Sequence, residues 1–192
     1  MQFESAEQFI LEKLGNELPA SLSYHSVAHV KDVFAAAEMI GREEHISEQE
    51  MKLLLTAALF HDSGFLRGPK EHEEESCRIT RQFLPDFNYN QNEIDQICGM
   101  IMATHIPQSP QNHLEQILAD ADLDYLGRDD FFEIGEKLFN ELSIFGFLKS
   151  EQEWNRLQVR FLESHHYFTQ TAIRLRQAKK EAHLALVKSK IT

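Results

Sequence analysis

At 192 residues the chain is long enough for one domain with a sizeable core. Its 19 Lys and Arg against 31 Asp and Glu give a formal charge of −12. That argues against a nucleic-acid polymer as partner, because such binding needs a basic surface to displace counterions. A small anionic substrate stays open, since a bound metal inverts the local field. No apolar run reaches the roughly 18 residues that cross a bilayer. The opening MQFESAEQFI lacks the basic and apolar blocks of a signal peptide, so the expectation is a cytoplasmic protein without a membrane segment. Cys77 and Cys98 are too few for a disulfide framework, show no metal-ligand spacing and read as buried free thiols.

Taken in chain order, the periodicity is helical almost throughout. SAEQFILEKL predicts a helix capped by Ser5. HVKDVFAAAEMIG places Val30, Val33, Phe34 and Ala37 on one face, with Gly41 as its stop. SEQEMKLLLTAALFHD starts with a capping-box spacing, Ser47 and Glu50, and becomes apolar on every side, which suits the middle of a bundle. GFLRGPK reads as a loop, and EHEEESCRITRQFL as a helix ended by Pro85. NEIDQICGMIMATH and NHLEQILADADLDYLG are two more, separated by IPQSPQ. From Asp129 onward the sequence predicts two or three helices, the last long and increasingly basic. No strand alternation, repeat or linker is visible. The fold class is therefore all-α, a compact irregular bundle in one domain, residues 1–192.

Several of these apolar helices carry His or Asp near one end. His25 and His29 lie four apart, on one helix face. His61 and Asp62 close the buried helix, His105 closes MIMATH, and Asp120, Asp122 and Asp124 close another apolar segment. His72 sits in the charged run EHEEES, which by itself looks solvated. Any one of them has a bland explanation, as a hydrogen-bonded core histidine or a capping aspartate. Together they are harder to dismiss, because buried charges are normally paired or bound to metal. Too few cations lie nearby to neutralise all the acids, and a divalent ion would satisfy several at once.

The ordered set His29, His61–Asp62 and Asp122, in the contexts YHSVAHV, AALFHD and DADLDYLG, resembles the signature of the HD-domain superfamily of metal-dependent phosphohydrolases. The match runs from Tyr24 to about Gly127, with the helices of residues 129–190 completing the bundle. The resemblance implies an all-α HD bundle and a metal held by His29, His61, Asp62 and Asp122, with Asp120 as the alternative last ligand. Subfamilies that add histidines between the HD pair and the final Asp bind a second metal, bridged by the HD aspartate. His72 and His105 stand in the matching order. YHSVAH also resembles the start of cyclic-nucleotide phosphodiesterases, whose earlier histidine is a general acid, a role that would fall to His25. Asp62 would orient the water nucleophile.

Imidazole and carboxylate ligands suit one or two ions of Mn, Fe, Zn, Ni or Mg without choosing among them. The implied reaction is metal-assisted hydrolysis of a phosphoester or phosphoanhydride in a nucleotide or other small phosphorylated compound. Arg67 and Lys70, just after the HD pair, are candidate phosphate binders, with Lys149, Arg156 and Arg160 as further ones. Ser63 and Gly64 are expected to turn the chain away and leave room for substrate. Some departures narrow the class. Phe65 stands where the phosphodiesterases carry a further histidine, no GYP follows the HD pair, and the acidic step of alarmone hydrolases is missing. The alternatives are an HD-type di-iron oxygenase and a non-catalytic HD module that senses a ligand or contacts a partner. A homo-oligomer is left open.

Overall fold

The capping box at Ser47 forms as its spacing predicts. Glu50 N–H donates to Ser47 Oγ at 3.3 Å and Ser47 N–H donates to Glu50 Oε2 at 2.8 Å, satisfying two otherwise orphaned donors. The helix it starts, Glu48–Phe60, is buried continuously from Leu53 to Phe60. Such a helix can only lie inside a bundle, and it packs against its neighbours on several sides. The structure is a computed structural model that describes residues 1–191. Among these residues there are nine α-helices and no strand.

The helices are α1 (Phe3–Glu17), α2 (Val27–Glu43), α3 (Glu48–Phe60), α4 (His72–Phe83), α5 (Gln91–Ala103), α6 (His113–Asp122), α7 (Phe131–Ile144), α8 (Glu151–Ser164) and α9 (Gln170–Ser189). Short 3-10 turns follow α3, α4 and α6, at Ser63–Leu66, Leu84–Phe87 and Asp124–Gly127. The region after Asp129 holds three helices, the upper end of the expected range. None is long and apolar enough to cross a membrane.

Two termini differ from the predicted ones. Ser5 lies inside α1, which starts at Phe3 because Gln2 N–H donates to Phe87 O at 2.8 Å and draws the chain in earlier. Gly41 does not stop α2. It is buried where a Cβ would meet Met51 Cε at 2.9 Å, so it lets α3 approach while the helix continues to Glu43.

Two apolar cores result. The larger joins α1 to α6 around Leu54, Leu59, Phe60, Ile97 and Ile117. Truncating any of these to Ala costs about 2–5 kcal/mol. The smaller lies under the C-terminal helices and gathers Tyr24, Tyr125, Leu126, Phe131, Leu162 and Val187. The two cores adjoin beside the ends of α2, α3 and α6, where the polar residues of interest sit.

Candidate metal centre

Helix ends converge here. His29 lies in the first turn of α2, His61 and Asp62 follow the last turn of α3, and Asp122 ends α6. His29 Nε2 is 3.2 Å from Asp122 Oδ1 and 3.4 Å from Asp62 Oδ2. His61 Nε2 is 3.2 Å from Asp62 Oδ2 and 3.4 Å from Asp122 Oδ1. Two imidazole nitrogens and two carboxylate oxygens thus face one point. One donor atom each from His29, His61 and Asp122 lies within 4.8 Å of the others.

His61 Nδ1–H donates to Ala58 O at 2.8 Å, which fixes the ring and turns Nε2 inward. His61 Nε2 and Asp62 Oδ2 are both buried and neither has an aligned hydrogen-bond partner. Buried polar atoms are rarely left so, because the desolvation cost is about 1–3 kcal/mol each. A divalent cation between these four groups removes that cost, and the donor set suits one.

The electrostatics agree. Burial opposes charge on His61, yet Asp62 and Asp122 hold its pKa well above the ordinary value. Burial likewise opposes charge on both aspartates, and the histidines around them pull both far below the usual carboxylate range. The field that favours a proton on His61 also favours a metal ion in its place.

Asp120, the alternative last ligand, is occupied elsewhere. It accepts hydrogen bonds from Phe168 N at 2.9 Å, Thr169 N at 2.8 Å and Thr169 Oγ1 at 2.7 Å, tying the start of α9 to α6. Burial pushes its pKa up to about 6 despite those donors. Asp124 is held by Arg176, with Nε to Oδ1 at 2.6 Å. Of the three acids, Asp122 is the one that faces His29 and His61.

His72, the first residue of α4, sets its Nε2 3.7 Å from Asp62 Oδ1. Asp62 therefore presents one oxygen to His29 and His61 and the other to His72. His105 follows α5 as an exposed residue, and no polar contact joins its ring to the cluster among the described residues. Arg67 and Lys70 project into solvent, 76% and 87% exposed, beside Glu75 and Glu71. Neither lines the cavities that reach the cluster. The expected opening at Ser63 and Gly64 is corrected. Both are buried in a 3-10 turn, and a Cβ on Gly64 would stand 1.9 Å from His72 O, so this turn docks the start of α4 and clears no space for substrate.

His25 lies just before α2 with its Nδ1 on Glu141 Oε1. Glu141 Oε2 also accepts Tyr24 N–H at 2.8 Å and His25 N–H at 3.1 Å. Burial raises the pKa of Glu141, but these donors outweigh it and leave a net lowering. Phe65 stacks on His25, ring centroids 3.9 Å apart, and lies 4.3 Å from the ring of His72. Sequence reasoning missed Glu141, which lies 116 residues from His25 on a helix whose pattern shows only an amphipathic face.

An apolar cavity of about 200 Å³ opens on this end of the cluster. His25 and Asp122 stand on its wall with Tyr24, Tyr125, Trp154 and Phe161. A polar cavity of about 270 Å³ reaches His29, with Arg128 and Lys137 on its wall. Arg128 is already committed to Asp32 and Asp130, at 2.8 and 2.7 Å.

The family model of the HD domain matches residues 26–124, which contain all four converging residues. The chain belongs to the HD-domain family. No curated protein matches it. Among solved structures, the HD chain is similar to Bacillus subtilis YpgQ, solved in complex with ADP. Identity is 19% and the TM-score 0.67, over 98% of this chain and 95% of that one. It is also similar to a predicted HD superfamily hydrolase from an uncultured Thermotogales bacterium, at 17% identity and TM-score 0.63 over 98% and 90%. A structural-genomics target from Lactobacillus plantarum matches at 18% identity and TM-score 0.68 over 98% and 96%. Such low identities show a shared fold, and in this HD protein the fold brings the four side chains together.

Proposed function

We propose that the protein is a metal-dependent phosphohydrolase acting on a nucleotide or another small phosphorylated compound. The observation that carries this reading is the pair of buried, unpartnered atoms, His61 Nε2 and Asp62 Oδ2, facing His29 and Asp122. The names of two relatives support it: one is called a hydrolase and the other was solved with ADP.

His29, His61, Asp62 and Asp122 would hold the first ion. His72 and the second oxygen of Asp62 would serve a second. Bound there, a divalent ion acidifies a water and polarises the phosphoryl group. The remaining work belongs to the chain. Asp62 orients the attacking water. Glu141 fixes His25 through Nδ1, leaving Nε2 free to hand a proton to the leaving oxygen. Tyr24, Phe65 and the apolar cavity keep bulk water from the leaving group. His105, Arg67 and Lys70 take no part in this arrangement. The proposed compartment is the reducing cytoplasm, in keeping with the two buried free thiols, Cys77 and Cys98.

Metal analysis combined with a panel of phosphorylated substrates on wild type and Asp62→Ala tests the reading. Wild type should retain divalent metal and release phosphate or pyrophosphate from some panel members, and Asp62→Ala should lose both. Full metal content and full activity in Asp62→Ala would overturn it.

A further inference from the structure

Every arginine but two in the described residues reaches a carboxylate within 4.0 Å. Arg42, Arg67, Arg78, Arg81, Arg128, Arg174 and Arg176 do so, as expected in a chain of charge −12. Arg156 and Arg160 have no such partner, and neither does the nearby Lys149. With acids in such excess, these two arginines depart from the pattern of the others, and Lys149 in the same groove is unpaired as well. Arg156 and Arg160 are also four apart on α8, where like charges repel.

Their position links them to the candidate metal centre. Leu157 and Phe161, one residue after each arginine, line the apolar cavity whose wall includes His25 and Asp122. Successive helical residues are turned by about 100°, so the arginines stand at the rim of the face that lines the cavity. Arg156, Arg160 and Lys149 in turn line an open groove of about 430 Å³, together with Phe147, Leu148 and Leu157. Leu157 belongs to both walls, so cavity and groove adjoin. The groove's acid, Glu153, is engaged in starting α8, accepting Lys149 N–H at 2.7 Å. Phe147, 66% exposed, leaves an apolar surface beside the three charges.

We propose that this groove is a second anion site, which holds a distal phosphate of the substrate. The reacting phosphoryl lies at His29, His61, Asp62 and Asp122, an apolar or aromatic body fills the cavity, and a second phosphate reaches Lys149, Arg156 and Arg160. The substrate class is then a compound phosphorylated at both ends of an apolar or aromatic spacer. This rests on the phosphohydrolase reading, which supplies the first phosphate contact. Guanidinium groups suit the task, because their planar donors bind phosphate in pairs.

The test is calorimetric binding to the full, metal-loaded chain of alkanediol bisphosphates of increasing length, each compared with the alkyl monophosphate of the same length. Wild type should prefer the bisphosphate by about tenfold at one optimal length, equivalent to about 1.4 kcal/mol. In the Arg156→Gln/Arg160→Gln double variant that ratio should fall to about one. Lys52→Gln, which removes an unpaired cation on α3, should keep it. A wild-type ratio near one at every length, or a ratio that survives the double variant, overturns the second site. So does a preference that is indifferent to spacer length, which would mark a general cationic surface for an acidic macromolecule. If the monophosphates show no metal-dependent binding at all, the phosphohydrolase reading itself has failed, and the result separates that case from failure of the groove alone.

Discussion

Glu141 holds His25 at both ends, with one carboxylate oxygen on the ring Nδ1 and the other on the backbone N–H at 3.1 Å. The imidazole is thereby fixed between Phe65 and Glu141. Glu141→Gln keeps the size but offers only one acceptor oxygen for three donors. We expect kcat on a hydrolysed phosphoester to fall by about 10- to 100-fold, less than the roughly 100- to 10,000-fold of a general acid removed outright, because His25 itself remains, with KM changed by less than about twofold. Steady-state kinetics beside a thermal melt separate this from misfolding. An unchanged kcat would remove His25 from the reaction.

Metal should act as a folding ligand. Saturating divalent ion at about 100 times its Kd adds about 2.7 kcal/mol, or roughly 5–10 °C in melting temperature for a chain of this size. Asp122→Ala should abolish that shift. Asp120→Asn should melt lower than wild type in both states, because it weakens the anchor on Phe168 and Thr169, yet keep the metal-induced shift. Scanning calorimetry with and without chelator reads both.

Gly64→Ala forces a methyl group against the carbonyl of His72. Backbone has to move, at a cost of about 1–3 kcal/mol. Urea unfolding should show the loss. If His72 serves a second ion, the variant should also lower the metal content of the folded protein from about two to about one.

Acid should weaken the fold partly through His165. Burial, reinforced by the Lys180 ammonium 3.2 Å from its Nδ1, pulls the pKa of this ring down to about 3 from the ordinary imidazole value of 6.5. The unfolded chain therefore takes up a proton that the folded one refuses. The contribution of His165 is fully present above about pH 6.5 and is lost progressively as pH falls towards 3. The decline in urea midpoint from pH 7 to pH 4 should be shallower in His165→Gln than in wild type. Equal slopes would exclude the effect.

The convergence of His29, His61, Asp62 and Asp122 was legible because each lies near the end of an apolar helix. His61–Asp62 after the buried half of α3 and Asp122 at the end of the buried half of α6 are costly anomalies in a sequence, and costs of that kind point to a shared partner. His72 was harder, since EHEEES looks solvated until its first residue is seen turned back onto Asp62. Glu141 and the apolar cavity left no such trace. They arise from tertiary packing across more than a hundred residues, and an amphipathic pattern says which face is buried without saying against what. The α1 start and the role of Gly41 were misjudged for the same reason, because Phe87 and Met51 decide them from a distance.

The wall of the apolar cavity has a consequence for how such a protein can change. The four converging side chains come from α2, α3 and α6, within the matched residues 26–124, while much of the cavity wall comes from α7 and α8. Substitutions at Leu138, Leu142, Trp154 or Leu157 can reshape what is admitted without moving a single prospective ligand of the ion. The converging side chains and the cavity wall thus lie on separate stretches of chain, so the shape of the cavity can vary in the last third while the His and Asp cluster stays intact.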